Sequence, residues 1–165
     1  MKILHEFYQQ DAVTLAPQLL GKSLCRCIDG ETIKLRITET ESYMSYDTAC
    51  HAHRGKTLRN SVMFEQGGLA YVYLCYGMHN LLNIVGGKVG DPQAVLICGA
   101  EGYPGPGRLT KALQIDRNLN GTDLTRDLLW LEDNGMAISH KTTPRIGIDY
   151  ADEADRLRKW RFIAT

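Results

Sequence analysis

The chain has 165 residues, 44% of them hydrophobic and 23% charged, with 16 Gly and 5 Pro. This composition suits one folded domain spanning 1–165 and excludes a collagenous, low-complexity or disordered chain. Nineteen Lys plus Arg balance nineteen Asp plus Glu, so any nucleic-acid contact must come from a local basic face and not from bulk charge.

No apolar run approaches the ~20 residues of a membrane span, and the first residues lack the apolar stretch of a signal peptide. The five cysteines are odd in number and form no Cys-x-x-Cys, so reduced thiols in a cytoplasmic protein are expected. In chain order, Asp11 is a good N-cap for a first helix that stops at Gly21, with Pro17 as an internal defect. Residues 22–28 and 31–43 read as strands joined by Asp29-Gly30, a strong hairpin signal. In the second strand Ile33, Leu35 and Ile37 share one face; continued alternation carries that inward face on to Glu39, Glu41 and Tyr43.

Residues 44–52 read as a short helix and 54–60 as a basic loop. Strands are expected at 69–74 and 80–85 around a tight turn at Tyr76-Gly77, and another at 93–98. Gly102-Tyr-Pro-Gly-Pro-Gly107 reads as a rigid loop entering a helix over 108–114. A short helix at 128–132 and two strands at 145–148 and 160–163 complete a mixed α+β reading.

Five groups of residues can carry chemistry. Glu41 is a carboxylate at the end of an apolar strand face, where burial is expensive, and such groups serve as general acids or bases; the plainer alternative is a strand-end Glu turned to solvent or paired with an Arg. Tyr43, Tyr71, Tyr73 and Tyr76 crowd two neighbouring segments. Tyr43 and Tyr73 could stack on a planar ligand, and Tyr76, at a hairpin tip with little core to pack against, could act as a wedge between base pairs; ordinary sheet core is the alternative. Cys50-His51-Ala52-His53 has the look of a partial zinc site without an evident third ligand, and a hydrogen-bonding His in a pocket is the better reading. Arg54, Lys56 and Arg59 lie within six residues, as a phosphate-contacting loop or as a solvated face. Gly105-Pro106-Gly107 before a helix presents amides to an anion or is simply a rigid entry.

Taken in order, these segments resemble the alkyladenine (3-methyladenine) DNA glycosylase family, the monofunctional type found in mammals and many bacteria. The resemblance rests on Glu39-Thr-Glu-Ser-Tyr43, Ala49-Cys-His-Ala52, Arg54-Gly55, Thr57-x-Arg-Asn60 and Met63-Phe64. It continues through Tyr71-Val-Tyr73, Tyr76-Gly-Met78, Asn83, Ala94-Val-Leu96, Ala100-Glu101, Gly105-Pro-Gly107, Leu109, Ala112-Leu113 and Arg145-Ile-Gly147. It implies a single mixed domain around a curved antiparallel sheet, with surrounding helices and a protruding hairpin.

The same resemblance assigns roles. Glu41 becomes the base that activates water against the anomeric carbon of a flipped deoxynucleotide. Tyr43, His51 and Tyr73 become the base pocket, Asn83 the residue whose bulk disfavours the amino group of guanine, and Tyr76 the wedge that fills the hole left in the duplex. It implies double-stranded DNA containing damaged purines as the partner, no cofactor or metal, a monomer, and a cytoplasmic, nucleoid-associated location. This chain departs from the family pattern at Cys98, where Arg is usual and helps to hold the water, and at Leu58, His79 and Lys159. A damage-binding protein that has lost catalysis through Cys98, and a small-molecule or zinc-dependent hydrolase using His51 and His53, are the alternatives of other classes.

Overall fold

In the computed structural model, which describes all residues from Met1 to Thr165, Asp11 caps helix α1 (Ala12–Leu19), its carboxylate accepting from the Thr14 amide at 2.8 Å. Pro17 lies inside this helix, which ends within two residues of it as the chain turns at Gly21 with φ 81°. Strands β1 (Ser23–Ile28) and β2 (Glu31–Tyr43) follow, paired antiparallel from Ile28↔Glu31 to Ser23↔Arg36. Asp29 and Gly30 both take positive φ, 50° and 82°, as a two-residue hairpin of the primed type requires.

The remaining strands are β3 (Ala70–Cys75), β4 (His79–Val85), β5 (Ala94–Ala100), the two-residue β6 (Tyr103–Pro104), β7 (Leu129–Glu132), β8 (His140–Thr143) and β9 (Arg161–Ala164). Every pairing is antiparallel. The order is β3-β4-β5-β2-β1-β7, with β6 on β5, β9 beside the end of β2, and β8 beyond β9. Helix α2 (Pro106–Ala112) and the single turn α3 (Glu153–Arg156) complete the α+β architecture. No helix is long and apolar enough to cross a membrane.

The sheet has two unlike faces, set by the two-residue period of its strands. Val72, Leu82, Ile84, Val95 and Ile97 enter the main core together with Leu15 and Leu19 of α1 and Leu109 of α2. Their neighbours Tyr71, Tyr73, Leu81, Leu96 and Cys98 pack in separate clusters on the opposite face. The opposite face carries the candidate site.

Strand β2 corrects the simple alternation read from the sequence. Ile37 is in the main core, but so is the direction taken by Thr40 and Ser42, whose hydroxyls donate to the α1 carbonyls of Ala16 and Ala12 at 3.0 and 2.7 Å. The pairing with β5 slips between Ile37↔Ala100, Glu39↔Gly99 and Thr40↔Ile97. This irregularity moves Glu39, Glu41 and Tyr43 off the face of Ile37 and onto the site face. Gly99 sits opposite the slip, where a Cβ would come within 3.2 Å of the Thr38 hydroxyl.

Other sequence expectations also change. Residues 44–52 form successive turns and not a helix: the amides of Asp47, Cys50 and His53 bond back three residues, to Met44, Asp47 and Cys50. Asp47 leaves the helical pattern because its carboxylate accepts from the Ala49 amide and binds Arg145. The expected helix at 128–132 is strand β7, paired with β1 through Leu24↔Leu131; a short apolar run fits either structure, and here the open edge of β1 decides. Residues 145–148 are an irregular segment and not a strand, with Arg145 buried, Ile146 exposed and Gly147 at φ 75°. The polar strand β8 has no apolar alternation to betray it.

Candidate active site

Three strands and one loop converge at the C-terminal end of β2. Glu41 is 2% exposed. Its Oε1 accepts from the Tyr43 hydroxyl at 2.8 Å, and its Oε2 accepts from the Ile146 amide at 2.9 Å and from Arg161 Nη1 at 3.1 Å. Every hydrogen-bond partner of the carboxylate is a donor. The Arg partner of the plainer sequence reading is therefore present, but the pair lies in the wall of a cleft and not at the surface.

That cleft has a volume of about 470 Å³, within the ordinary range for small-ligand sites. Glu41, Tyr43, His51, Tyr73, Tyr76 and Arg59 all line it. The aromatic side chains are close together: the His51 and Tyr73 rings are 4.3 Å apart, and Tyr71 and Tyr73 are 5.6 Å apart. His51 Nδ1 lies 2.9 Å from the Tyr71 hydroxyl, and either tautomer satisfies this contact. Burial of the ring lowers the pKa of His51, with the Arg59 charge adding to it. Burial also raises the phenols, Tyr71 to about 12 and Tyr43 well above its usual value, in the second case helped by Glu41. The aromatic walls are thus neutral, with the Glu41 carboxylate at one corner and the Arg59 guanidinium at the Tyr73 side.

Asn83 is buried behind the cleft, in a recess shared with Tyr43, His51 and Tyr73, and its amide donates to the Tyr71 carbonyl at 3.2 Å. Tyr76 stands at the tip of the β3–β4 hairpin, 89% exposed. Of the basic loop, only Arg59 reaches the cleft, with its guanidinium 5.8 Å from the Tyr73 ring. Lys56 lies over Phe64, and Arg54 borders a separate groove with His53. No group of three His, Cys, Asp or Glu side chains gathers around His51 and His53, and Cys50 points into a cluster with Met63 and Val85.

Sequence reasoning missed three contributors. Arg161 was visible only as part of a final strand, although its neighbour Phe162 enters the main core, which places Arg161 on the site face by alternation. The Ile146 amide comes from a loop: the Arg145-Ile-Gly147 pattern marks its position, but nothing in the pattern says that its backbone donates to Glu41. Arg145 holds the cleft wall from behind: its guanidinium lies 4.8 Å from the Tyr43 ring and 5.2 Å from the Trp160 ring, and it pairs with Asp47. Both members of this ion pair have fully buried side chains. Replacing Arg145 by Met should leave the Asp47 charge buried and alone, a loss of about 3–5 kcal/mol. The melting temperature should then fall by about 10 °C or more. A change of a degree or two would show that the pair does not hold the wall.

The class of protein so defined is an α+β chain with an aromatic cleft, one buried carboxylate at the cleft wall and a projecting aromatic tip beside it. A family model described as methylpurine-DNA glycosylase matches residues 6–103 and 100–165. A protein of Methanocella arvoryzae is 44% identical over 95% of this chain and 89% of its own length. One from Borreliella burgdorferi is 43% identical over 94% and 92%, and one from Psychrobacter cryohalolentis 39% identical over 96% and 90%. Each bears the name "Putative 3-methyladenine DNA glycosylase". The chain belongs to the methylpurine-DNA glycosylase family.

Proposed function

We propose that this protein is a monofunctional glycosylase acting alone, as one domain, on duplex DNA in the cytoplasm, at the nucleoid of a bacterium. It draws an alkylated or deaminated purine out of the helix and hydrolyses its N-glycosidic bond. The observation that carries this reading is Glu41: a buried carboxylate, ringed by donors, in the wall of an aromatic cleft beside the exposed Tyr76 tip.

A base inside a duplex is out of reach, and extruding it costs a few kcal/mol, least for a damaged pair. Tyr43, His51 and Tyr73 then hold the extruded ring. Electron-rich tyrosine faces favour a cationic alkylated purine, with Asn83 behind them disfavouring the amino group of guanine. Glu41 accepts a proton from water as the oxygen bonds to the anomeric carbon. The carbon–nitrogen bond breaks with its electron pair going to the base. A cationic alkylated base leaves neutral, whereas hypoxanthine needs a proton at a ring nitrogen. No lysine lines the cleft, so no amine is at hand for a Schiff base with the sugar, and cleavage of the strand is not expected.

The test is release of free base from duplexes carrying 3-methyladenine, 7-methylguanine, hypoxanthine or ethenoadenine. Release without strand breaks supports the reading. Tight binding to these duplexes with no release from any of them replaces it with a damage-binding function.

The basic loop gives a separate check on the partner. Arg54, Lys56 and Arg59 are exposed, and none is held by an acidic side chain among the ion pairs of the protein. Each phosphate neutralised contributes about 0.9 to the slope of log affinity against log salt. Replacing all three with Ala should therefore flatten that slope by about 2–3, equally for lesion and undamaged duplexes. An unchanged slope would put the DNA face elsewhere.

A further inference from the structure

Arg161 stands directly opposite Glu41 in the β2–β9 ladder, and its side chain is only 12% exposed. Its guanidinium is divided between two carboxylates: Nη1 donates to Glu41 at 3.1 Å, and Nη2 binds Glu39. A planar fork of donors can hold two carboxylates in one fixed geometry, which a lysine ammonium cannot do. Glu39 lines the same cleft wall, with a side chain 28% exposed.

The charges that face Glu41 from each packed element can be named. From its own strand come Tyr43 and Glu39, from β5 Cys98, from β9 Arg161, and from the segment after β8 Arg145 and Tyr150. Burial holds the Cys98 thiol and the Tyr43 phenol well above their usual pKa values, and both stay neutral near pH 7. Arg145 spends its charge on the fully buried Asp47. Three charges are left: Glu41, Glu39 and Arg161.

We propose that Arg161 and Glu39 are positioning residues for Glu41. Arg161 fixes the carboxylate through Oε2, and Glu39 neutralises the guanidinium so that the Glu41–Arg161–Glu39 corner keeps one net negative charge, with Arg59 across the cleft at the Tyr73 ring and in no ion pair with it. The proposal rests on Glu41 being the general base. Two consequences follow from it. A carboxylate pinned at Oε2 by Arg161 and the Ile146 amide presents its remaining lone pairs in one direction, as an oriented base requires. A net negative corner also favours the oxocarbenium-like sugar of a glycosidic transition state. Without Glu39, the guanidinium would cancel that charge.

The experiment is single-turnover release of hypoxanthine from a duplex across pH 4.5–9, with duplex affinity and melting temperature measured on the same samples. Arg161→Gln should lower the plateau rate about 10- to 100-fold while lesion affinity stays within about threefold. Its acid limb should move to higher pH, because a cation beside the base is gone. Glu39→Gln should lower the plateau about tenfold and move the acid limb the opposite way, because an anion is gone. Arg161→Lys should keep the wild-type limb and recover only part of the rate, since charge returns without the fork. A merely structural role would lower stability without shifting the two limbs in opposite directions. If Arg161→Gln does not fold, the Glu39→Gln profile decides: an unmoved limb and rate overturn the proposal. If Glu41→Gln releases base at the wild-type rate, the reading of Glu41 fails and this proposal falls with it. If Glu41→Gln is inactive but Arg161→Gln and Glu39→Gln keep rate and profile, the proposal alone is wrong.

Discussion

Glu41→Gln should reduce base release by about 10²- to 10⁴-fold, the usual worth of a general base, while lesion-duplex affinity stays within a few-fold of wild type. Gln keeps the shape of the side chain but has no carboxylate to take a proton from water. The surroundings of Glu41 also set a modest stability cost. Its two oxygens accept from the Tyr43 hydroxyl, the Ile146 amide and Arg161. The Gln amide nitrogen must turn toward one of these donors, leaving a buried contact unmade at about 1–3 kcal/mol. For a chain of this size that corresponds to a fall of several degrees in melting temperature. The assay should therefore be run well below the variant's melting point. Near-wild-type release from a folded variant would remove Glu41 as the base, and the cleft would then need another acceptor. Glu39 is the other carboxylate in the cleft lining, but it lies farther toward solvent.

The parts of the site that lie on regular strands were legible in the sequence. Tyr71 and Tyr73 share a face of β3, and their rings do meet, 5.6 Å apart. The neighbouring positions Ala70 and Val72 enter the core, so one two-residue period describes both faces. The antiparallel sheet and its hairpins were legible for the same reason: Asp29-Gly30 and Tyr76-Gly77 mark the turns, and the runs on either side alternate. Legibility failed where a residue's direction depends on something distant. Alternation alone put Glu41 on the face of Ile37, but the register slip opposite Gly99 turns it to the other face. The residue singled out was the same, for a reason the structure changes. The apolar residues Leu128 to Leu131 could not announce a strand, because the edge of β1 that captures them is a hundred residues earlier. Arg145 reads as a strand residue in isolation, yet burial against Asp47, 98 residues away, fixes it. Arg161 was legible in principle through Phe162, but only once the faces of the sheet were known.

Tyr76→Ala should cause the second large loss, in base extrusion and not in chemistry. Tyr76 and Gly77 occupy the centre of a turn closed by the Met78 amide on the Cys75 carbonyl at 3.0 Å, with φ 51° and 67°. A left-handed φ is routine for Gly but uncommon for a bulky residue, and costs about 1 kcal/mol. The fold thus holds a large ring in an unfavourable backbone state, 89% exposed, beside the mouth of the aromatic cleft. Core packing does not explain this, since removal of so exposed a ring leaves no cavity. On the proposed function a wedge would: inserted at the vacated position, the ring would oppose return of the nucleotide to the stack and offset part of the unstacking cost. With an ethenoadenine duplex, whose fluorescence reports stacking, Tyr76→Ala should lower the extruded population by about tenfold or more if the wedge contributes even 1.4 kcal/mol. Single-turnover release should fall in proportion, and the melting temperature should stay within about 2 °C. Tyr76→Gly, which relieves the positive φ, should melt no lower than wild type and extrude as poorly as Tyr76→Ala. If Tyr76→Ala melts several degrees lower and extrudes ethenoadenine normally, the ring serves the hairpin itself and the tip does not enter DNA.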